Sequence, residues 1–128
     1  MRLTLSSPQY WYQSGKTPRF TVHATSTASQ PCRFNMGTKF VAVVIASGGR
    51  HLWSSADCPG GAGSRRAVLT RSRPAVLRVS WDRRTSSPAC GDATHLVRPG
   101  EYEAEAVSGR IHSGPVNVVL GAKGVSGP

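Results

Sequence analysis

Acidic residues are scarce in this sequence. Its 128 residues contain six Asp and Glu against sixteen Lys and Arg, which gives a formal net charge of +10. Thirteen of the sixteen cationic residues are arginines. A field of this sign attracts polyanions such as nucleic acid, anionic lipid headgroups or acidic wall polymers. An arginine excess also arises from GC-rich coding sequence, so the charge by itself leaves both a functional and a compositional origin open.

Long apolar runs are missing as well. No segment approaches the roughly 20 apolar residues that a membrane-spanning helix needs, and the longest apolar run covers residues 40–46. The first five residues alternate between apolar and polar and have no apolar core of the kind found in a signal peptide. We therefore expect a signal or membrane anchor to lie upstream of this sequence in the full-length protein.

Sequence patterns typical of catalytic and metal sites are also lacking. The sequence has no GxSxG or SxxK around a serine, no CxxC pair, and no HxH or HxxxH pair. The glycine-rich stretch 60–65 lacks the Gly-Lys-Ser/Thr ending of a phosphate-binding loop. We predict that the protein is not an enzyme and that it uses no cofactor and no metal ion.

Apolar residues alternate with polar ones in segment after segment. This period of two is typical of strands with one buried face, and it predicts strands near 1–6, 20–25, 40–46, 51–54, 67–70, 75–81, 101–108 and 115–120. Residues 7–18 are predicted to form a loop, and Gly48-Gly49 the turn of a hairpin. Seven or eight strands in a chain of this length favour an all-β sandwich or barrel. We expect a single domain over residues 1–120 and a flexible tail over 121–128.

Aromatic residues fall into two groups. Trp53, Trp81 and Tyr102 lie at inward positions of predicted strands and are expected in the core. The Tyr102 hydroxyl follows a Pro-Gly turn and can bond back to upstream backbone, as in the tyrosine corner of immunoglobulin-like domains. Tyr10, Trp11 and Tyr12 instead lie in the predicted loop, where they form either a stacking platform for sugars or bases or a lid over one end of the sandwich.

Arginines cluster within twenty residues of the second half of the chain. The cluster is spread over predicted strands, turns and loops and consists of Arg65, Arg66, Arg71, Arg73, Arg78, Arg83 and Arg84. They form a candidate basic face that could bind phosphates through bidentate contacts, and the alternative is an ordinary solvated surface. On the strand at 101–108, Glu101, Glu103 and Glu105 share one face and are expected to offset neighbouring arginines.

Four local patterns carry a family resemblance. They are Arg-Phe-Thr-Val at 19–22 before Pro31-Cys32, Leu-Trp-Ser-Ser-Ala-Asp-Cys at 52–58, Val-Ser-Trp-Asp at 79–82, and Arg-Pro-Gly-Glu-Tyr at 98–102. In this order they resemble the extracytoplasmic domain of a family of uncharacterised actinobacterial envelope proteins. The resemblance covers about residues 3–120 and implies an immunoglobulin-like antiparallel β-sandwich of seven to eight strands. A second resemblance, to the bacterial intracellular proteinase-inhibitor family, shares the Trp-Ser, core Trp and Pro-Gly-x-Tyr patterns but lacks the cysteines.

Three widely spaced cysteines indicate an oxidising compartment. An odd count of this kind suggests one disulfide and one unpaired thiol, or a partner outside the sequence. The envelope family often has a further cysteine before its first strand, which this sequence does not contain. The resemblance therefore implies a Cys58–Cys90 disulfide and leaves Cys32 without its partner.

These observations predict a non-catalytic binding or accessory module located in the extracytoplasmic cell envelope. Its expected partner is an anionic wall polymer, an anionic lipid or another envelope protein. One alternative is a proteinase inhibitor that docks through residues 59–64 or 82–90. A nucleic-acid binder is a further alternative that the charge allows, although the sequence contains no recognised nucleic-acid motif.

Overall fold

Eleven strands and no helix make up the regular structure of residues 1–57, 64–88 and 94–124, which the computed structural model describes. The strands are β1 (Arg2–Ser6), β2 (Trp11–Tyr12), β3 (Arg19–Thr25), β4 (Cys32–Asn35), β5 (Ala42–Ser47), β6 (Arg50–Ser54), β7 (Arg66–Leu69), β8 (Ala75–Ser80), β9 (Gly100–Ser108), β10 (Ile111–His112) and β11 (Val116–Leu120). The predicted all-β class is confirmed for this part of the chain. The described residues therefore contain no helix that is long and apolar enough to cross a membrane.

The strands form three sheets. The first sheet has the order β1-β3-β8, the second has the order β2-β11-β9-β5-β6 with β10 added to β9, and the small sheet pairs β4 with β7. Neighbouring strands are antiparallel, except that β2 runs parallel to β11. The parallel pair arises because the chain leaves the first sheet after β1 and joins the edge of the second sheet at β2.

One apolar cluster joins the first and second sheets. The first sheet contributes Leu3, Phe20, Val22, Ala24, Leu77 and Val79, and the second contributes Tyr12, Val43, Ile45, Tyr102, Ala104, Ala106, Val118 and Leu120. All of these side chains are buried, in the alternation that the sequence predicted. Each fully buried Val, Leu, Ile or Phe stabilises the fold by about 1.5–3 kcal/mol. The two sheets therefore face each other, and their outer faces are left to solvent.

The predicted hairpin is confirmed. Strands β5 and β6 pair with Ser47 opposite Arg50, so Gly48 and Gly49 form a two-residue turn. Their φ angles of 56° and 81° lie in the left-handed region. Two positive φ angles in succession are typical of the turn type that matches the twist of a hairpin, and glycine adopts them without strain.

Three short strands were not predicted, and one predicted strand begins later. Strands β2 and β10 contain two residues each and β4 contains four, which is too short for alternation to be recognisable. The prediction of an uninterrupted loop over 7–18 is wrong at β2. The strand predicted from residue 40 begins at Ala42, because Phe40 is 49% exposed and its N–H donates to the Gly37 carbonyl in a turn.

The predicted tail begins with an ordered residue. Gly121 is buried, and its N–H donates to the Tyr12 carbonyl at 2.8 Å. The final residues 125–128 lie outside the described part of the chain.

Candidate anion-binding site

The outer face of the first sheet is polar and basic. Side chains opposite one another across paired strands point to the same side, so the register defines this outer face. It consists of Arg2, Thr4 and Ser6 on β1, Arg19, Thr21, His23 and Thr25 on β3, and Val76, Arg78 and Ser80 on β8. Their neighbours along each strand point into the core, which fixes the outward direction of the arginines and hydroxyl residues.

Two arginines approach each other at one end of this face. Thr21 lies opposite Arg78 on one side and opposite Ser6 on the other, and Arg19 lies opposite Ser80. Arg19 and Arg78 are therefore diagonal neighbours, a relation in which Cα atoms are about 7–8 Å apart and long side chains can meet. Within the described part of the chain, neither guanidinium has a hydrogen-bond or ion-pair partner.

A shallow cleft lies at these two arginines. Its volume is about 370 Å³, and its lining comprises Ser6, Ser7, Pro8, Arg19, Phe20, Thr21, Arg78, Val79 and Ser80. Ligand sites in proteins occupy about 300–1,000 Å³, so the cleft is large enough for a phosphate ester. Guanidinium groups present forked N–H donors that match phosphate oxygens, and serine and threonine hydroxyls add single donors. The cleft is therefore suited to an oxyanion.

The strands of this face carry no acidic group, and the nearest described carboxylate along the chain is Asp82, two residues after Ser80 at the end of β8. The first 56 residues contain no Asp or Glu, and β1, β3 and β8 carry none. The three glutamates of β9 alternate with inward-facing Tyr102, Ala104 and Ala106, so they point outward from the second sheet. The two outer faces therefore differ in charge, and β1, β3 and β8 themselves present no carboxylate to an approaching anion.

The β9 glutamates do not neutralise arginines. The Glu105 Oε1 atom hydrogen-bonds with His112 Nδ1 at 3.0 Å, and among the described residues no arginine lies within ion-pair distance of a glutamate. Glu101 accepts a hydrogen bond from the Tyr10 hydroxyl at 3.3 Å, and its charge raises the pKa of Tyr10. The expected pairing of Glu101, Glu103 and Glu105 with arginines is not seen among the described residues, where Glu101 contacts Tyr10 and Glu105 contacts His112.

The seven arginines predicted as one basic face lie in several parts of the molecule. Arg78 is on the outer face of the first sheet, whereas Arg71 and Arg73 are in the turn between β7 and β8. Arg65 and Arg66 are at the start of β7 in the small sheet, and Arg83 and Arg84 follow β8 at the opposite end. Arg73 precedes β8 and Arg83 follows it. The six residues of this strand, at a rise of about 3.3 Å each, span about 20 Å between them. The outer face carries Arg78 beside Arg19, with Arg2 at its other end, and the sequence prediction included neither Arg19 nor Arg2.

A signal for Arg2 and Arg19 was present in the sequence. Arg2 alternates with the apolar residues of the strand predicted at 1–6, whereas Arg19 directly precedes the strand predicted at 20–25, at a position that continues its polar face. The missing information was the pairing of β1 and β8 with β3, because strand order is not contained in the alternation itself.

The three consecutive aromatics do not form one surface. Trp11 and Tyr12 belong to β2, and Tyr12 is buried with its hydroxyl against Ser7 and the Arg19 carbonyl. Trp11 packs on Gly121, and Tyr10 is 56% exposed. The triplet lies at the edge of the second sheet rather than among the outward side chains of the first.

The remaining predicted aromatics lie around the core. Trp81 is fully buried, and its indole N–H donates to the Arg84 carbonyl at 2.9 Å. Its ring contacts Tyr102 edge-on at a centroid distance of 5.5 Å and the half-buried Trp53 at 6.4 Å. The Tyr102 hydroxyl donates to the Arg98 carbonyl at 2.5 Å. These contacts tie the end of β8 to β9 and β6.

Arg83 links the loop that follows β8 to the loop that precedes β3. Its guanidinium donates to the carbonyls of Gln13 at 3.0 Å and Lys16 at 3.3 Å. Its φ of 64° is the one positive value among the described non-glycine residues, and such a conformation costs roughly 1–2 kcal/mol. Arg83 thus acts on the loop before β3, which positions Arg19.

Two other concave regions are less suited to an anion. A groove of about 660 Å³ on the small sheet is lined by Arg33, Phe34, Asn35, Arg66, Ala67 and Val68. Half of this lining is apolar, and the Asn35 side chain already bonds to Ser64 and to the backbone of Gly37 and Arg65. A smaller cavity of about 220 Å³ beside Trp53 includes Asp82 and Ser86, and the Ser86 hydroxyl already donates to Asp57.

Cysteines and metal ligands give no second site. Cys32 is exposed and free, whereas Cys58 and Cys90 lie outside the described residues, as does most of the loop at 59–64. Among residues 1–57, 64–88 and 94–124, no three His, Cys, Asp or Glu side chains lie close enough to hold a metal ion.

Comparisons with known proteins show the fold only. No protein-family model matches the sequence, and no curated protein sequence matches it. Among solved structures, a β-glucosidase from Erythrobacter marinus is similar with a TM-score of 0.56 and 14% identity. A β-glucosidase from Listeria innocua in complex with glucose is similar with a TM-score of 0.55 and 7% identity.

The matched part of each enzyme is small. The alignment covers 91% of this chain but 15% of the Erythrobacter chain, and 94% of this chain but 16% of the Listeria chain. At this identity the similarity concerns the path of the backbone. Nearly the whole of this chain therefore corresponds in fold to about one-sixth of a larger protein.

Proposed function

We propose that this protein is a non-catalytic, extracytoplasmic binding module of the cell envelope that holds an anionic envelope polymer on the outer face of its first sheet. The observation that carries the proposal is the pair Arg19 and Arg78, which point into one hydroxyl-lined cleft and have no partner among the described residues. The location rests on the resemblance to actinobacterial envelope proteins.

The fold we propose is an immunoglobulin-like sandwich, extended by short edge strands. Support comes from two facing sheets with a common core and from the Tyr102 hydroxyl bonding to backbone four residues upstream. Such a scaffold holds β1, β3 and β8 rigidly side by side. A rigid sheet presents its arginines without the entropy cost of ordering a loop on binding.

A polymer fits this face better than a lipid surface or a nucleic acid. The exposed large apolar residues of the described chain are Tyr10, Phe40, Val68 and Leu96, and none of them lies on the outer face. The one apolar residue of its strands, Val76, is partly buried, so the face has no large exposed apolar group to insert between acyl chains. It also carries no aromatic ring on which bases could stack.

The test measures binding of tripolyphosphate and of a phosphate-rich wall polymer by calorimetry at low salt. The variant Arg19→Gln/Arg78→Gln should weaken both by about tenfold for each guanidinium removed, since a charge-assisted hydrogen bond contributes about 1.5–3 kcal/mol. The matched control Arg50→Gln/Arg110→Gln removes the same charge from two exposed positions, at the start of β6 and in the turn between β9 and β10. It should weaken binding by no more than about twofold, as expected for distant surface charges.

Two outcomes would overturn the proposal. Equal losses in the two double variants would mean that net charge alone attracts the polymer. Tighter binding to vesicles containing phosphatidylglycerol than to either polyanion would make a lipid headgroup the ligand instead.

A further inference from the structure

A second group of arginines lies around the far end of the first sheet. Arg2 is opposite Thr25 at the start of β1. Arg71 and Arg73 lie in the turn between β7 and β8, and all three arginines are exposed. We call Arg2, Arg71 and Arg73 the upper arginines, and Arg19 with Arg78 the lower arginines.

The fold places the upper arginines on both sides of the end of β3. Ala24 of β3 is opposite Ala75 of β8. The turn that precedes Ala75 therefore lies beside Thr25. The Ser26 N–H donates to the Thr70 carbonyl at 3.2 Å, which joins the start of this turn to the same point. Arg2 lies on the other side of Thr25.

The turn that carries two of the upper arginines is held in shape. The Thr70 hydroxyl accepts from the Arg73 N–H at 2.9 Å and donates to the Arg73 carbonyl at 3.2 Å. Both bonds involve backbone atoms of Arg73, so its guanidinium stays available. Nothing among the described residues forms an ion pair with either guanidinium of the turn.

A defined distance separates the two groups. Thr21, at the lower arginines, is four residues from Thr25 on β3, which corresponds to about 13 Å along the strand. His23 points outward midway between them. No carboxylate interrupts this path, because β1, β3, β8 and the turn at 70–74 contain no acidic residue.

We infer that the ligand is a linear phosphate polymer that lies along β3 and contacts both groups at once, rather than a single small anion. This inference rests on the proposed function, because the lower arginines supply the first contact. Once one phosphate is bound there, the rest of the polymer is held close to the upper arginines. The second contact is then intramolecular, and affinity rises without any new protein surface.

The experiment compares tripolyphosphate with a long polyphosphate on the whole chain, at one ionic strength and with affinity expressed per phosphate, so that the larger number of binding registers on the long polymer does not count as a gain. We expect the long polymer to bind on the order of tenfold tighter or more, and we expect Arg71→Gln/Arg73→Gln to remove this gain. The affinity of that variant for tripolyphosphate should stay at the wild-type value. The control Arg65→Gln/Arg66→Gln removes two exposed arginines from β7 and should keep the gain.

The outcomes separate this inference from the proposed function. If Arg71→Gln/Arg73→Gln keeps the full gain, or if the control loses it equally, the upper arginines are not a second contact. In that case the proposed function still stands, provided that tripolyphosphate binding depends on Arg19 and Arg78. If tripolyphosphate binding does not depend on those two residues, the proposed function fails and the inference fails with it.

Discussion

At the scale of single residues, Tyr102 connects the core to the segment that precedes β9. Its ring packs edge-on against Trp81, and its hydroxyl donates to the Arg98 carbonyl. Burial disfavours the charged phenolate and raises the pKa of Tyr102, while the positive charge of Arg83 opposes this shift and is the smaller effect. One side chain therefore links stability to pH in the alkaline range.

Replacing Tyr102 by Phe tests both roles. We expect Tyr102→Phe to lower the free energy of unfolding by about 1 kcal/mol at neutral pH, because one hydrogen bond is lost. The raised pKa means that the folded state holds the phenolic proton more tightly than the unfolded state, so the wild type loses stability as the pH rises above 10. Urea titrations between pH 7 and 11 should show the wild-type advantage shrinking at the alkaline end. Parallel curves for the two proteins would contradict the link to Tyr102.

At the scale of elements, strand β2 depends on one glycine. The Val119 and Gly121 N–H groups donate to the Tyr10 and Tyr12 carbonyls, each at 2.8 Å, and this joins β2 to β11. The Trp11 ring lies directly against Gly121, where a Cβ atom would overlap with it. The parallel pair can form because residue 121 has no side chain.

We therefore expect Gly121→Ala to destabilise the protein by about 1–3 kcal/mol, the usual cost of overpacking. The Trp11 ring would have to move, and the β2–β11 pairing would weaken. Thermal or urea unfolding measures the loss. In a Trp11→Leu background the same substitution should cost much less, because the ring that clashes is gone. An equal cost in both backgrounds would show that Trp11 is not the cause.

At the scale of the whole molecule, charge and cysteines are the two global features. Positive charge on the outer face of the first sheet and glutamates on the outer face of the second make the two sides electrostatically different. Such a difference would orient the molecule toward the proposed polyanion before contact. The cysteine pattern concerns stability instead, since a Cys58–Cys90 disulfide would close a loop of roughly 33 residues and contribute about 3–4 kcal/mol in the chain-entropy model.

Thiol counting tests the disulfide prediction. Protein prepared under oxidising conditions should take up one alkyl group without reductant, at the exposed Cys32, and three after reduction and unfolding. Reduction should also lower the melting temperature of the wild type and of Cys32→Ser to the same extent. Three alkyl groups without reductant, or a melting temperature insensitive to reductant, would exclude the Cys58–Cys90 pair.

Much of the fold could be predicted from the sequence because alternation reports directly on burial. Phe20, Val22 and Ala24 of β3, and Tyr102, Ala104 and Ala106 of β9, were predicted to face inward, and all are buried. The Gly48-Gly49 turn was recognisable because two glycines between strands favour positive φ. Strands of two residues, such as β2, carry no period and could not be recognised.

What the sequence determined by itself is the all-β class, the inward face of each long strand, the hairpin and the excess of positive charge. These properties depend on local pattern and composition. Only the tertiary structure decided which arginines lie together, because strand order brings Arg19 and Arg78 side by side from positions far apart in the chain. Contacts between distant residues follow from how the sheets pair, and that pairing depends on packing of the whole core rather than on any one segment.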